Sequence, residues 1–303
     1  MSDPFSKLFA DWRYPAPYSM FHDKPSRMPG SLIGPLGFPN QLRVGDPKPE
    51  GEVRIFVIGN SAVRGPASEF SIATQLEGFL GSPARVYNFG IESANTWQGL
   101  MLLVKTLADL EPDIVVVYDG VTDLIVPLSY DPRPGYTYNH YMLELIHEAV
   151  GTGKLAEFDL MRAELSRRTD LRREVQYDSA SWTEAIIDAY IGAIRRYCFV
   201  CQGFGIRFLH VFQAVLGHKD RLVGVEVGFK PVAARYAELF DAAATRRLGL
   251  EDQFPDRDRV RFGNASALFR ERPEECFTDY VHLQDRMQTV PARYLASLLR
   301  DWI

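Results

Sequence analysis

Three cysteines (Cys198, Cys201 and Cys276) in 303 residues are an odd number and too few to staple a fold, which excludes a secreted-type disulfide framework. Long apolar runs are missing as well. No stretch approaches the roughly 18 to 20 residues that cross a bilayer as a helix, and MSDPFSKLFADWRYPAPYSM lacks a basic start followed by an apolar segment. The expectation is a cytoplasmic protein with no membrane span. Positive charge is not in excess either, since 34 Lys and Arg face 39 Asp and Glu for a net charge of −5. That sign opposes a phosphate-binding surface, so nucleic acid is not an expected partner. The Arg-rich pieces Arg167-Arg168 and Arg172-Arg173 alternate with Glu164, Asp170 and Glu174, the pattern of a solvated helical face. No G-x-x-x-x-G-K phosphate loop occurs, and Gly203-Phe-Gly205 precedes a strand instead of following one, as dinucleotide binding would require.

What the chain does have is 46% apolar residues, which excludes a disordered polymer. Residues 1–52 are rich in proline, glycine and aromatics and show neither helical nor strand period. They read as an irregular arm whose Phe5, Trp12, Tyr14, Tyr18 and Phe21 pack on the domain or on a second subunit. From residue 53 short apolar runs alternate with helix-period segments. The strand candidates are Val53 to Ile58, Arg85 to Tyr87, Ile114 to Tyr118, Phe208 to Phe212 and Val260 to Phe262. The run IVVVY is apolar throughout, which suits a parallel strand covered on both faces. Helical patterns fall at about 71–80, 96–110, 139–169, 181–203, 230–247 and 288–300. The alternation predicts a doubly wound α/β sheet. Residues 127–180 lack a strand signal and exceed one crossover, so they read as a helical insertion forming a cap or partner surface.

In an open parallel sheet, ligands bind where loops leave the carboxyl ends of the strands. The first such loop is Gly59-Asn60-Ser61-Ala62-Val63-Arg64-Gly65, a serine beside glycine at a tight turn. The second is Asn88-Phe89-Gly90-Ile91-Glu92-Ser93, and the third is Tyr118-Asp119-Gly120-Val121-Thr122-Asp123. A serine hydroxyl needs a base before it can act as a nucleophile. Of six histidines, His210 falls inside the apolar strand FLHVF and reads as a core residue. His22 lies in the arm, and His140 and His147 in the insertion, while His218 follows the fourth strand in a charged loop. His282 sits after the last strand, at the same sheet edge as Ser61, and Asp279 precedes it by three residues. On a turn, that carboxylate can orient one imidazole nitrogen and leave the other for Ser61.

Gly59-Asn60-Ser61, Gly90, Gly120-Val121-Thr122-Asp123 and Asp279-x-x-His282 resemble, in order and spacing, the four sequence blocks of the SGNH/GDSL hydrolase superfamily. The resemblance covers residues 53–303, including Phe212-Gln213, and leaves the arm and part of the insertion unexplained. It implies a flavodoxin-like three-layer α/β/α sandwich around a five-stranded parallel sheet. It also implies Ser61 as nucleophile, His282 as base and Asp279 as its orienting carboxylate. The oxyanion hole would use the backbone N–H groups of Ser61 and Gly90 and the side chain at Thr122, with Gly59, Asn60, Gly120 and Asp123 as supporting loop residues. No metal or organic cofactor is implied; the partner is a small-molecule or carbohydrate ester. A homo-oligomer formed through the arm or the insertion stays open. Thr122 departs from the asparagine that the family carries in its third block, and Asn60 from the aspartate that is common before the serine. Loss of one oxyanion donor costs on the order of 10² to 10³ in turnover. The threonine hydroxyl donates instead, a substrate or partner supplies the donor, or hydrolysis is weak.

Rival readings remain at this stage. Asp119, Asp123 and Glu92 form an acidic set that would bind a divalent cation or do paired-carboxylate work, although their spacing matches no recognised metal loop. A non-catalytic protein using the same crevice for binding, or an O-acyltransferase using the same serine, also fits. Cys198-Phe-Val-Cys201 is half a zinc site without its second half and reads as buried thiols. Asn264-Ala-Ser266 matches a glycosylation sequon by pattern alone.

Overall fold

A computed structural model describes residues 13–16, 20–23, 33–65, 70–137, 140–153 and 159–303. Phe5, Trp12 and Tyr18 of the expected arm lie outside the described residues, as do the side chains of Tyr14, Phe21 and His140. Two short strands, β1 (Arg13–Ala16) and β2 (Met20–Asp23), pair antiparallel with Arg13 opposite Asp23. The sequence carried no strand period there, because Pro15 interrupts the pattern. A two-stranded ribbon is all edge, and a proline is tolerated at an edge.

The main sheet has five parallel strands: β3 (Val53–Gly59), β4 (Ala84–Gly90), β5 (Ile114–Asp119), β6 (Arg207–Phe212) and β7 (Val260–Asn264). Their spatial order is β4-β3-β5-β6-β7, with β5 central. Strand period explains the two cores. Ile114, Val116 and Tyr118 of β5 join Ile55, Val57, Leu209 and Val211 on one face, while Val115 and Val117 join Phe56, Ile58, Phe208 and Phe212 on the other. Every residue of β5 is buried, so the uniformly apolar run IVVVY reports helices on both sides. The protein is a three-layer α/β/α sandwich.

One face is covered by α2 (Ile72–Leu80) and α9 (Thr289–Leu299), which pack on each other. The opposite face carries α3 (Thr96–Leu102, continued by a π-helical turn over Leu103–Leu107), α7 (Ala180–Gly203) and α8 (Lys230–Gln253). Capping starts these helices where the sequence supplies a side chain. Ser71 accepts from Thr74 N–H before α2, and Asn95 with Gln98 forms a reciprocal capping box before α3.

Two helices at the sheet edge were not foreseen. The one-turn α1 (Ser61–Arg64) directly follows β3, and α4 (Val121–Ser129) follows β5. Pro127 inside α4 disguised it, since proline lacks an N–H and normally ends a helical pattern. The expected helix over 139–169 is two helices, α5 (His140–Gly151) and α6 (Leu160–Glu174), packed on each other. Gly153, at φ +66°, turns the chain out of α5. The Trp182 indole N–H ties this region to α7 by donating to Pro132 C=O at 2.7 Å.

Candidate active site

The turn after β3 is built from its own side chains. Asn60, buried, caps α1 by accepting from Ala62 N–H at 2.9 Å, and its Nδ2 donates to Gln213 Oε1 at 2.6 Å. Asn88 closes the other end, donating to Val63 C=O at 2.8 Å. Bracketed in this way, Ser61 takes the first helical position. A single turn is too short to be stable in isolation, so these side chains set where the serine points.

Ser61 Oγ lies 2.6 Å from His282 Nε2, and His282 Nδ1 lies 2.6 Å from Asp279 Oδ2. With Asp279 accepting, Nδ1 carries the hydrogen and Nε2 offers its lone pair to the serine O–H. The second Asp279 oxygen accepts the N–H groups of Val281 and His282, both at 2.7 Å. Partial burial works to raise the Asp279 pKa, but it is outweighed by the bond to His282, its charge and those backbone donors. The carboxyl is therefore held below its ordinary value and ionised at neutral pH.

The segment carrying Asp279 and His282 has a brace that the sequence did not reveal. Residues 276–284 fold back on themselves, with Thr278 N–H donating to His282 C=O and Gln284 N–H donating to Cys276 C=O, each at 2.8 Å. Glu226, fully buried, accepts the N–H groups of Cys276 and Phe277 at 2.8 and 3.1 Å. Its other oxygen receives Lys219 Nζ at 2.5 Å, and the same ammonium donates to Glu274 C=O at 2.7 Å. Nothing in the spacing of Lys219, Glu226 and Asp279 signals this arrangement; only the return of the chain does.

In the second loop one expected donor is already engaged. Gly90 was expected to offer its N–H to a ligand, but that N–H donates to Asn88 Oδ1 at 2.9 Å. A side chain at Gly90 would sit 2.1 Å from Arg64 N, so the glycine is required for close approach of β4 to α1. Gly120, at φ +114°, makes the turn into α4 and sits against the Tyr190 hydroxyl and the Phe212 ring. Thr122 is buried in the first turn of α4. Asp123, also buried, turns toward α3, where both its oxygens lie 3.0 Å from Thr96 N.

The other candidates are dispersed. His210 is buried in β6, beside Tyr190 and Asp119. His218 faces Asp241 of α8, with Nε2 3.0 Å from Oδ1. His22 rests on the Phe38 ring at 4.7 Å between centroids, and His147 is exposed on α5. The three cysteines are buried free thiols, and burial raises all three pKa values. Among the described residues, no group of three or more His, Cys, Asp or Glu side chains is arranged to hold a metal ion. No described helix is long and apolar enough to cross a membrane.

No family model matches the chain, and no curated protein does. Solved structures do. One is assigned as an arylesterase from Agrobacterium tumefaciens str. C58, with a TM-score of 0.50 and 15% identity, over 82% of this chain and 99% of that one. Another is a carbohydrate acetylesterase family member from Sinorhizobium meliloti, with a TM-score of 0.50 and 15% identity, over 82% of this chain and 97% of that one. These likenesses define the class of architecture: the chain shares the α/β fold of these two structures.

Proposed function

We propose that the protein is a serine hydrolase that cleaves an O-acyl ester through Ser61, His282 and Asp279. The observation that carries this reading is the relay of two 2.6 Å contacts from Ser61 Oγ through the imidazole to Asp279. Ser61 Oγ attacks the ester carbonyl while His282 Nε2 takes its proton. Asp279 stabilises the resulting imidazolium, and His282 passes the proton to the leaving alcohol as the tetrahedral adduct collapses. Water, activated by the same nitrogen, then hydrolyses the acyl-enzyme and frees Ser61. The Ser61 N–H lies at the open start of α1, outside the helical bonding pattern, and the Thr122 hydroxyl is the side-chain candidate for the developing oxyanion. Because Gly90 N–H is already engaged by Asn88, it is not counted among the donors. A carbohydrate-linked acetyl or other short acyl group is the proposed substrate class, in keeping with what the Sinorhizobium meliloti protein is named for.

One observation favours a second reading. The engaged Gly90 N–H and the shorter donor at Thr122 leave the oxyanion side lean, as a weakly hydrolytic binding protein or an acyltransferase with its own acceptor would tolerate. A serine-reactive phosphonate with a short-chain aryl ester separates the readings. Labelling at Ser61 and turnover abolished in Ser61→Ala support the hydrolase. A folded protein that takes no label supports the binding role, and faster ester consumption on adding a sugar alcohol supports transfer.

A further inference from the structure

Behind the third loop lies a buried polar cluster that the proposed reaction does not use. Thr96 Oγ1, at the start of α3, is 2.8 Å from Asp119 Oδ2 and 2.8 Å from Asp123 Oδ2. All three side chains are buried. A threonine hydroxyl has one hydrogen and can satisfy one of these oxygens by donating to it. The other contact is attractive only if the facing carboxyl carries a proton and donates it to the threonine lone pair.

The remaining partners say which carboxyl that is. Asp119 Oδ1 is 3.1 Å from His210 Nε2, and the Tyr190 hydroxyl also bonds to Asp119 while lying 3.0 Å from the same nitrogen. Asp119 is thus ringed by donors from α3, α7 and β6. Among the described residues, Asp123 meets one side-chain partner, the Thr96 hydroxyl, together with the Thr96 N–H at 3.0 Å from each oxygen and its own backbone N–H. Electrostatics agrees. One buried cation, Arg247 of α8, acts on both His210 and Tyr190. Glu251 also acts on Arg247, and two ionised carboxylates separated by one hydroxyl would repel each other, a repulsion that one shared proton removes.

We infer that Asp123 is a protonated carboxyl sharing its hydrogen with Thr96 beside ionised Asp119, and that this pair positions the loops after β4 and β5 around the reacting serine. Thr96 follows directly on the Ile91–Asn95 loop, and Asp123 is the neighbour of Thr122, so the bond between them sets the distance between the two rims of the crevice. Its effect on turnover rests on the hydrolase reading; the proton sharing stands on the geometry alone. Burial raises both carboxyl pKa values, that of Asp123 further because Asp119 is beside it. His210 is kept neutral by the same burial. Tyr197 of α7, buried nearby with its pKa raised, adds no charge.

The test uses the full chain, with and without Ser61→Ala, carrying Asp123→Asn, Asp123→Ala or Asp119→Asn. Asparagine at 123 can accept from Thr96 N–H and donate to its hydroxyl, as the protonated acid does. Infrared difference spectra at about pH 8, where an ordinary carboxyl is ionised, are expected to show a carboxylic-acid stretch in the parent and in Ser61→Ala that Asp123→Asn removes. With a short-chain aryl ester, Asp123→Ala is expected to lower kcat by about 10², the cost of a misplaced reacting group, with KM little changed. Asp123→Asn restores most of that loss and keeps kcat at alkaline pH where the parent declines. Absence of the acid stretch, or a tolerated Asp119→Asn with a damaged Asp123→Asn, overturns the assignment. A parent with no esterase activity would sink the hydrolase reading, while the infrared spectra of both backgrounds would still decide the shared proton.

Discussion

The molecule contains two aspartate–histidine pairs, and the pKa values of their aspartates are shifted in opposite directions. Asp279 and His282 meet at 2.6 Å with 29% and 40% of their side chains exposed, whereas Asp119 and His210 meet at 3.1 Å with 3% and 0% exposed. At the first pair the hydrogen bonds to the carboxylate outweigh burial, so Asp279 is ionised and the histidine is free to accept a proton in water's reach. At the second, burial dominates, raising the Asp119 pKa to about 7 and pushing that of His210 well down. The same two residue types form the proposed proton-transfer site where solvent and backbone donors surround the carboxylate, and a buried structural node where side-chain donors do.

The sharpest way to break this comparison is to delete each histidine. His282→Ala or Ser61→Ala should lower ester turnover by about 10⁶ with an unchanged melting temperature, while His210→Ala should act on stability by about 2 to 4 kcal/mol. Steady-state kinetics beside thermal unfolding reads both effects. The carboxylates come next. Asp279→Asn should cost about 10⁴ in kcat, because the amide cannot hold the imidazole in the required tautomer. On the oxyanion side, Thr122→Val removes a hydroxyl with little change of volume and should cost about 10² in kcat at constant fold, as followed by circular dichroism.

Titration sharpens the contrast further. Asp119 and Asp123 have folded pKa values above those of the unfolded chain, so the folded state holds extra protons between the ordinary carboxylate value and the raised ones. Stability should therefore fall as pH rises from about 4 toward 7, and Asp123→Asn should flatten that slope. Asp279 has the opposite sign. Its contribution is present above the ordinary value and lost as pH falls through its lowered folded value, which acid unfolding of Asp279→Asn would reveal as a missing transition component. The smallest effect is expected at the arm. The Asp23–Arg64 ion pair at 3.0 Å is partly exposed, so Asp23→Ala should cost no more than about 1 kcal/mol by denaturant titration.

Much of the architecture was legible because it depends on local pattern. The five apolar runs, the glycine-flanked Ser61 and the Asp279-x-x-His282 turn each carry their signal within a few residues. The strands observed extend the predicted ones by one to three residues at the ends, as Ala84–Gly90 does for Arg85 to Tyr87. What escaped was set by distance. Gly90 was read as a donor because its own loop does not show that Asn88 turns back onto it, or that Arg64 crowds it. Lys219, Glu226 and the 276–284 segment find one another only through tertiary return. The Thr96, Asp119, Asp123, Tyr190, His210 and Arg247 cluster draws on four helices and two strands. Pro127 and Pro15 concealed a helix and a strand by breaking the very patterns used to find them.

The contact between Ser61 and His282 joins positions 221 apart in the chain. His282 follows β7, the edge strand on the far side of β6, so it can reach the serine only after the last strand has been added. On the proposed hydrolase reading, a chain still emerging from the ribosome would carry an idle alcohol that no ester could acylate at an appreciable rate. Phosphonate reactivity at Ser61 would then report completed assembly, making the molecule its own folding sensor.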